Sequence, residues 1–266
     1  MGHAQIESTA NARVKEWASL LEKKHRDRQG KYIVEGVHLV QEALRSGADV
    51  ECVAYDAALG VPAELKEDAQ AAGQGEWVAV SAAIVAKCTE ARTPQPVFAV
   101  VRKSAAKIGD ILRVEHALVA VLDGVQDPGN VGTIIRAADA AGAAGVLIGR
   151  GSADIYNPKT VRSTMGSLFH LPIVEGDLTE LLPQAREASA KIVSTSLQAK
   201  QNCYEADYRG STWFVFGSEG SGVSPEVEAF VDESIIIPMP GQAESLNVAM
   251  AASVLLFEAV RQRLVP

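Results

Sequence analysis

Three stretches of the sequence place polar side chains directly after an apolar run, a pattern that can create a binding or catalytic site. They read VLDGVQDPGNVGTIIRAADAAG from 121 to 142, WFVFGSEGSGVS from 213 to 224, and IPMPGQAESLNVAMAAS from 237 to 253. In each stretch a segment typical of a buried strand runs into a loop and then into a helix. Ligands of open α/β sheets bind beyond the carboxyl ends of the strands, so these loops are candidate parts of a site.

The first stretch offers an amide and a guanidinium. Its strand ends at Asp123, a turn-rich segment follows, and Asn130 is the predicted N-cap of the next helix. Arg136 lies within the first two turns of that helix, so both side chains stand where chemistry could occur. In the alternative interpretation, Asn130 only caps the helix and Arg136 is solvated.

The second stretch surrounds a carboxylate, Glu219, with glycines that let the backbone approach a ligand closely. It is not a P-loop, because no Gly-Lys-Ser/Thr follows, and the spacing of its glycines does not match a dinucleotide fingerprint. The carboxylate would repel a phosphate, so a cationic or hydroxyl-bearing ligand suits this loop better. A tight turn with a solvated glutamate is the alternative.

The third stretch ends a strand with Pro238 and Pro240, which cannot donate hydrogen bonds to a sheet. The freed backbone can hold a planar heterocycle between apolar walls. Either Ser245 or Asn247 can cap the following helix. That helix is apolar on almost every side, and packing against a second subunit would bury it.

Composition and charge bound the class of protein. The 266 residues are 47% hydrophobic and 22% charged, as expected of a soluble globular protein with two domains. No apolar run is long enough to span a membrane, and three scattered cysteines without a CxxC pair favour a reducing cytoplasm and no metal site.

The charge distribution leaves two interpretations open. A net charge of −8 argues against a nucleic-acid partner, yet residues 1–31 hold seven Lys and Arg against four Asp and Glu. This basic arm, which includes Lys23, Lys24, Arg26 and Arg28, could bind phosphate or could be an ordinary solvated helix face.

Alternating predicted strands and helices indicate two α/β domains, with a largely parallel sheet in the first. The first series has strands near 32–34, 50–55, 76–80 and from Val97 onward, and helices over 10–27, 37–44, 64–72 and 82–87. The second has strands near 118–122, 146–148, 192–195, 213–216 and 235–237. Polar residues 104–116 are interpreted as a linker between domains 1–103 and 117–266.

Taken together, the three stretches resemble the motifs of the TrmH/SpoU family of RNA ribose 2′-O-methyltransferases, within the SPOUT class. The motif NVGTIIRAADAAG carries Asn130 and Arg136, FGSEGSGVS carries Glu219, and IPMPGQAESLNVAMAASVLLFEAVRQ carries Ser245 and Asn247. The piece NPKTVRSTMGSLFHLPI is also similar, and the resemblance covers residues 117–264.

The N-terminal residues resemble the RNA substrate-binding domain attached to many members of this family. The similar segments are STANARVKEWASLLEKKHRDRQGKYIVEG and TPQPVFAVV. That domain is similar to ribosomal RNA-binding proteins and has an α/β/α sandwich fold.

The resemblance implies an α/β-knot, a deep trefoil knot, in the C-terminal domain and a homodimer with a shared active site. It implies S-adenosyl-L-methionine as methyl donor, contacted by Gly217, Ile237 and Leu246, and RNA as substrate, with ribosomal RNA favoured over transfer RNA. The alternatives are a non-catalytic RNA-binding protein on the same fold and a nicotinamide-dependent oxidoreductase built on the GSEGSG loop.

The resemblance also assigns catalytic side chains. A ribose 2′-hydroxyl must lose its proton as it attacks the methyl group. The family pattern places Arg136 beside the target ribose and phosphate, and because a guanidinium is not normally deprotonated, we expect it to pair with phosphate and stabilise the developing alkoxide. Asn130 is expected to fix the active-site loop, Glu219 and Ser245 to hold the ribose or the loop, and Asn247 to order the third turn.

Overall fold

The computed structural model of the protein describes residues 4–70, 75–91 and 93–264. The strands are β1 Ala4–Ile6, β2 Lys31–Glu35, β3 Val50–Asp56, β4 Glu76–Val80, β5 Val97–Arg102, β6 Leu118–Asp123, β7 Gly145–Gly149, β8 Ile173–Gly176, β9 Lys191–Thr195, β10 Gln201–Asn202, β11 Thr212–Gly217 and β12 Glu233–Ile236. The helices are α1 Ala12–Ser19, α2 Lys23–Gln29, α3 Val37–Arg45, α4 Lys66–Gln70, α5 Ala82–Cys88, α6 Ile108–Leu112, α7 Pro128–Ala140, α8 Pro158–Thr164, α9 Leu178–Glu187, α10 Pro225–Glu228 and α11 Val248–Leu264.

These elements form two units. The first contains the described residues up to Ser104 together with Asp154–Phe169, and the second contains Ala105–Ala153 together with the described residues from His170 onward. The sequence-based division into 1–103, 104–116 and 117–266 differs from these units in two segments, which are described below.

The sheet of the first unit is mixed. Among the described residues its five strands lie in the order β1-β4-β3-β5-β2. β1, β4 and β3 pair in parallel, whereas β5 lies between β3 and β2 and runs antiparallel to both. A parallel crossover needs a long return path, but α5 has only seven residues, and residues 93–96 lead to the carboxyl ends of β2 and β3. The prediction of a largely parallel sheet is therefore wrong for this unit.

Arg26 divides the helix predicted over 10–27 into α1 and α2. Its Nη1 donates to the carbonyls of Leu20 (2.9 Å) and Leu21 (2.7 Å). Its Nη2 pairs with the Asp154 carboxylate at 2.7 Å, and only 2% of the residue is exposed. Arg26 is thus a buried structural residue, and its inclusion in a phosphate-binding arm is corrected; Lys23, Lys24 and Arg28 are exposed.

Residues 154–169 pack into the first unit, although they follow β7 in the chain. The Tyr156 ring lies 4.6 Å from the ring centre of Tyr32, and its hydroxyl donates to the Ser104 carbonyl at 3.0 Å. Arg162 on α8 reaches the buried Glu35 carboxylate at 3.4 Å. This segment is polar and short, so nothing in its periodicity separates it from the domain predicted over 117–266.

The sheet of the second unit is parallel in every pairing found among the described residues, with seven strands in the order β10-β12-β9-β11-β6-β7-β8. Its central strand β11 is buried along its whole length, as expected of a strand covered on both faces. Gly217 at the end of β11 pairs with Asp123 at the end of β6. The first and second polar stretches therefore leave the sheet side by side.

Residues 105–116 fold as part of the second unit rather than as a linker. They contain α6, whose Ile111 is fully buried in the core beside Val119, Leu147 and Leu178. Gly145 on β7 permits this contact, because a Cβ there would lie 2.5 Å from Ile111 Cδ1. A helix of five residues is too short to reveal its periodicity in the sequence.

The remaining predicted elements of both units are found near their predicted positions. The helix predicted over 64–72 is a 3₁₀ turn, Ala63–Leu65, followed by α4, and its predicted end lies outside the described residues. No helix of the described chain is long and apolar enough to cross a bilayer.

Candidate active site

A cavity of about 740 Å³ lies within the second unit, where the parallel strands end. Its lining comes from residues after β9, after β11 and at the end of β12, and from residues 245–248 before α11. Gly217, Ile237 and Leu246, the predicted donor-binding residues, all line it. This volume is typical of small-molecule sites, which measure roughly 300–1,000 Å³.

Three side chains, one from each polar stretch, are joined by hydrogen bonds at this edge of the sheet. Asn130 Nδ2 donates to Glu219 Oε1 at 2.9 Å, and Asn247 Nδ2 donates to Asn130 Oδ1 at 3.0 Å. We call Glu219, Asn130 and Asn247 the three-loop relay. Glu219 and Asn247 also line the cavity, so the relay forms part of its border.

The two amides of the relay have only one consistent orientation. An ionised carboxylate is only an acceptor, so Asn130 must turn its NH₂ group toward Glu219 and its oxygen toward Asn247. Asn247 then donates with its own NH₂ group and leaves Oδ1 to accept from the backbone N–H groups of Ala249 (2.9 Å) and Met250 (3.3 Å). The relay therefore runs in a fixed direction from the first turn of α11 to the Glu219 carboxylate.

Glu219 is held as a carboxylate. Partial burial raises its pKa, but the donors around it outweigh that effect, and the pKa lies below the ordinary value for glutamate. These donors include the Asn130 side chain and the backbone N–H groups of Gln126 (3.1 Å) and Asp127 (3.4 Å). Because its acceptor capacity is largely used by the first loop, Glu219 acts here as a clamp between two loops.

The start of α7 corrects the predicted cap. The N-cap is Asp127, whose carboxylate accepts from the Asn130 backbone N–H at 3.0 Å, and Pro128 occupies the first helical position. Asn130 lies inside the first turn, so its side chain is free to bond to the other two loops. The prediction placed the cap at Asn130 because Asp and Asn are equally good caps and both stand in the turn.

Gly217 allows the second loop to fold back over the end of β11. A Cβ at this position would lie 2.1 Å from the Gly222 carbonyl carbon and 2.2 Å from the Val223 nitrogen, distances that no side chain tolerates. Ser218 and Gly222 exchange two backbone hydrogen bonds of 2.9 Å that close the loop. The glycine is therefore required by the shape of the cavity wall.

Arg136 and Ser245 are both exposed and stand apart from the relay. Arg136 lies on α7, and its guanidinium has no hydrogen-bond or ion-pair partner among the described residues. Ser245 lines the cavity, and none of the contacts found for the described residues involves its hydroxyl. Both groups are thus available to a ligand.

Two functional-site carboxylates were not singled out from the sequence. Asp123, buried at the end of β6, accepts from the Ser224 backbone N–H at 2.7 Å and so anchors the far end of the second loop. Glu228 on α10 lines the cavity. An acidic residue closing an otherwise apolar strand is a signal that could have identified Asp123, whereas nothing in the sequence distinguishes Glu228 from its neighbour Glu226.

No group of three or more His, Cys, Asp or Glu that could hold a metal is found in the described residues. The three cysteines are buried and unpaired, and burial raises the pKa of Cys52 to about 11 and that of Cys88 to about 12. Such thiols stay protonated and fill core positions.

Comparison with known proteins accounts for this arrangement. The profile of the SpoU rRNA methylase family matches residues 117–257, and that of the MRM3-like substrate-binding domain matches residues 11–99. The chain belongs to the SpoU rRNA methylase family. The three polar stretches that supply the relay all lie within the first of these matches.

Three similar proteins match this chain over nearly its whole length. The chain is 37% identical over 253 residues to a 23S rRNA guanosine 2′-O-methyltransferase, RlmP, of Bacillus subtilis, covering 95% of this chain and 98% of that protein. It is 34% identical to a 23S rRNA uridine 2′-O-methyltransferase of Streptomyces viridochromogenes, covering 97% and 92%. The crystal structure of the SpoU methyltransferase AviRb from that organism, in complex with AdoMet, covers 96% of this chain and 99% of that chain, with a TM-score of 0.88 and 33% identity.

Family membership confirms the predicted enzyme class, an RNA ribose 2′-O-methyltransferase of the SpoU family, with S-adenosyl-L-methionine as methyl donor. It also confirms an α/β fold of the SpoU type. The nicotinamide-dependent alternative for the glycine-rich loop is wrong, since that loop is part of the SpoU methylase match.

Proposed function

We propose that the protein methylates a ribose 2′-hydroxyl of 23S rRNA, in the cytoplasm, and that the three-loop relay assembles its active site. The observation that carries this proposal is the relay itself, which joins the three motif loops by side-chain hydrogen bonds of 2.9 and 3.0 Å at the border of the cavity. Two of the relatives that match nearly the whole chain are named for 23S rRNA, one for a guanosine and one for a uridine. The shared motifs therefore do not fix the target base.

The cavity fits S-adenosylmethionine in size and chemistry. When bound, this donor supplies an electrophilic methyl group. Its cationic charge agrees with a border that carries the Glu219 carboxylate, and its planar adenine agrees with a wall made of Ile237, Leu246 and backbone. Gly217 shapes this part of the wall, because the absence of a side chain lets the backbone of Gly222 and Val223 pack against it.

Arg136 and the relay have different roles in catalysis: the relay positions, and Arg136 stabilises negative charge. The relay fixes the first loop, so that α7 presents the unpartnered Arg136 guanidinium to an adjacent RNA phosphate and to the developing alkoxide. Ser245 holds the ribose at the cavity mouth, and Gly217, Ile237 and Leu246 contact the donor. The hydroxyl proton leaves through phosphate or water, because an arginine does not accept it.

The test uses methyl-labelled S-adenosylmethionine with unmodified 23S, 16S and transfer RNA transcripts. After digestion, mass spectrometry of the nucleosides identifies the product. A 2′-O-methylnucleoside formed only in 23S rRNA is the expected result, and one formed in transfer RNA would support that alternative substrate. Donor binding and RNA binding without transfer to any naked or ribosome-assembled RNA would support the non-catalytic alternative.

The C-terminal helix supports a homodimer. Met250, Phe257 and Leu264 on α11 are spaced by seven residues and are 54%, 49% and 75% exposed. Residues seven apart lie on one face of a helix, so they form an apolar stripe on an element that also buries Ala249, Ala252, Leu255, Leu256 and Ala259. We propose that a second copy covers this stripe, and that the third-motif loop and α11 form the trefoil knot of the family.

Replacing Phe257 by Asp is expected to convert the dimer to a monomer, because the change puts a charge into an apolar interface. Sedimentation equilibrium should give a mass near 28.1 kDa for the variant and twice that for the wild type. Leu59→Asp, which changes an exposed leucine of the first unit, is the matched control and should leave the mass unchanged. A wild-type monomer at micromolar concentration would refute the proposed dimer.

The exposed cations of the first unit are proposed to bind RNA phosphate. Replacing Lys23, Lys24 and Arg28 by Gln is expected to weaken rRNA binding and lower the slope of log Kd against log salt by about 1–3, since each phosphate contact contributes about 0.7–0.9. Arg26 is kept, because its loss would remove the buried ion-pair partner of Asp154. The control replaces Arg113, Arg150 and Arg186 of the second unit, and an equal slope in both variants would show that the N-terminal cations have no special role.

A further inference from the structure

A second carboxylate, Glu228 on α10, lies in the wall of the cavity and takes no part in the three-loop relay. Two members of the relay, Asn130 and Glu219, follow β6 and β11, whereas the partners of Glu228 lie on β9 and β12, which come next in the sheet beyond β11. A molecule that fills the cavity therefore extends from the relay to Glu228.

The Glu228 side chain is oriented by two hydroxyls. Its Oε1 accepts from Ser234 at 3.1 Å and from Ser194 at 3.4 Å, and the two serine oxygens are 2.9 Å apart. Ser194 is 1% exposed, so this support comes from the interior of the sheet. No partner of Oε2 is found among the described residues, although the residue itself is exposed in the cavity wall.

An ionised carboxylate only accepts hydrogen bonds, so it selects ligand groups that donate. Glu219 is already occupied by Asn130 and two backbone N–H groups, which leaves Glu228 as the carboxylate of the cavity wall with free acceptor capacity. It would also repel nucleotides whose phosphates come near it, and a phosphate-free cationic nucleoside would not meet this repulsion.

We propose that Glu228 is a donor-binding residue that accepts a hydrogen bond from the adenosine half of S-adenosylmethionine. This inference rests on the proposed function of the cavity. The adenosine half is assigned because Ser234 lies on β12, the strand that runs into Ile237 and the loop that forms the apolar wall. The methyl group belongs at the opposite end, next to the relay.

Isothermal titration calorimetry of Glu228→Gln tests the assignment. The glutamine keeps an oxygen for Ser194 and Ser234 but turns an NH₂ group toward the ligand. Hydrogen bonds to charged groups are strong, so we expect Kd to rise by about tenfold or more for S-adenosylmethionine, S-adenosylhomocysteine and 5′-methylthioadenosine alike. The matched control is Glu226→Gln on the same helix, which does not line the cavity and should bind all three ligands as the wild type does.

Two results would overturn the assignment. Affinities within about twofold of the wild type, with an unchanged melting temperature, would make Glu228 only a support for the two serines. Weaker binding of the two amino-acid-bearing ligands but normal binding of 5′-methylthioadenosine would place Glu228 at the amino-acid half instead. Failure of the wild type to bind any of the three ligands would count against the proposed function, before any variant is compared.

Discussion

Arg136→Ala is expected to lower kcat by about 100- to 1,000-fold, the usual effect of removing one group that stabilises charge in the transition state. Arg136 is exposed on α7, and its guanidinium is unpartnered among the described residues, so its removal should cost little stability. Single-turnover methylation of 23S rRNA should be slow, while the Kd for the methyl donor and the melting temperature stay near their wild-type values. Loss of donor binding in this variant would contradict the proposed role.

Arg136→Lys separates positioning from charge. A lysine retains the positive charge but cannot form two parallel hydrogen bonds with a phosphate, so we expect it to recover less than about a tenth of the lost rate. Near-normal turnover would exclude a bidentate role. Arg150→Ala is the matched control, because Arg150 is also an exposed arginine of the second unit and pairs with Asp177 at 3.0 Å; it should leave kcat unchanged.

Asn130→Ala is expected to lower kcat by about 100-fold and to weaken donor binding, since one amide joins all three motif loops. Its loss leaves Glu219 and Asn247 without their shared partner and lets the first loop move relative to the cavity. A variant with turnover within about tenfold of the wild type would remove Asn130 from the active-site network. Asn157→Ala, which removes the cap of α8 in the other unit, controls for the loss of an asparagine as such.

Asn130→Asp should have a lower melting temperature than Asn130→Ala at neutral pH, and this difference should shrink as the pH falls. The new carboxylate would face Glu219, whose pKa lies below its ordinary value, and two carboxylates in hydrogen-bond contact cannot both be ionised without strong repulsion. One member of the pair then has a raised pKa in the folded state, so its stabilising contribution is present at low pH and is lost as the pH rises through that pKa. Melting temperatures of both variants between pH 5 and pH 8 measure this, and a gap that does not narrow toward pH 5 would contradict it.

The sequence was most informative where the chemistry requires rare residue patterns. The three motif stretches predicted the residues of the relay, because Asn130, Glu219 and Asn247 each stand in the polar segment that follows a strand of the sheet. It could not predict their mutual hydrogen bonds, since these depend on the order of β6, β11 and β12 in the sheet, which no local pattern encodes. The cap of α7 was likewise mispredicted, because local sequence does not show that the Asn130 side chain bonds to the other two loops while Asp127 caps the helix.

The features that the sequence missed depend on long-range packing. The sequence around Glu228 is that of an ordinary surface glutamate, and only the fold brings Ser194 and Ser234 into hydrogen-bond contact with it. The antiparallel direction of β5 could not be predicted, because a strand shows the same residue pattern in either direction. Arg26, which belongs to a basic run in the sequence, is buried because Asp154 from a distant segment meets it.

The Arg26–Asp154 contact also limits where the chain can be divided into fragments that fold. Residues 154–169 lie inside the span matched by the methylase family, yet their buried side chains, including Tyr156 and Val161, pack with residues of the first unit. An excised fragment beginning at residue 105 would expose them and leave Asp154 without its arginine. A chimera that exchanges the first unit with that of a relative must therefore graft two separate pieces of chain, and homologous recombination at a single crossover would not preserve both.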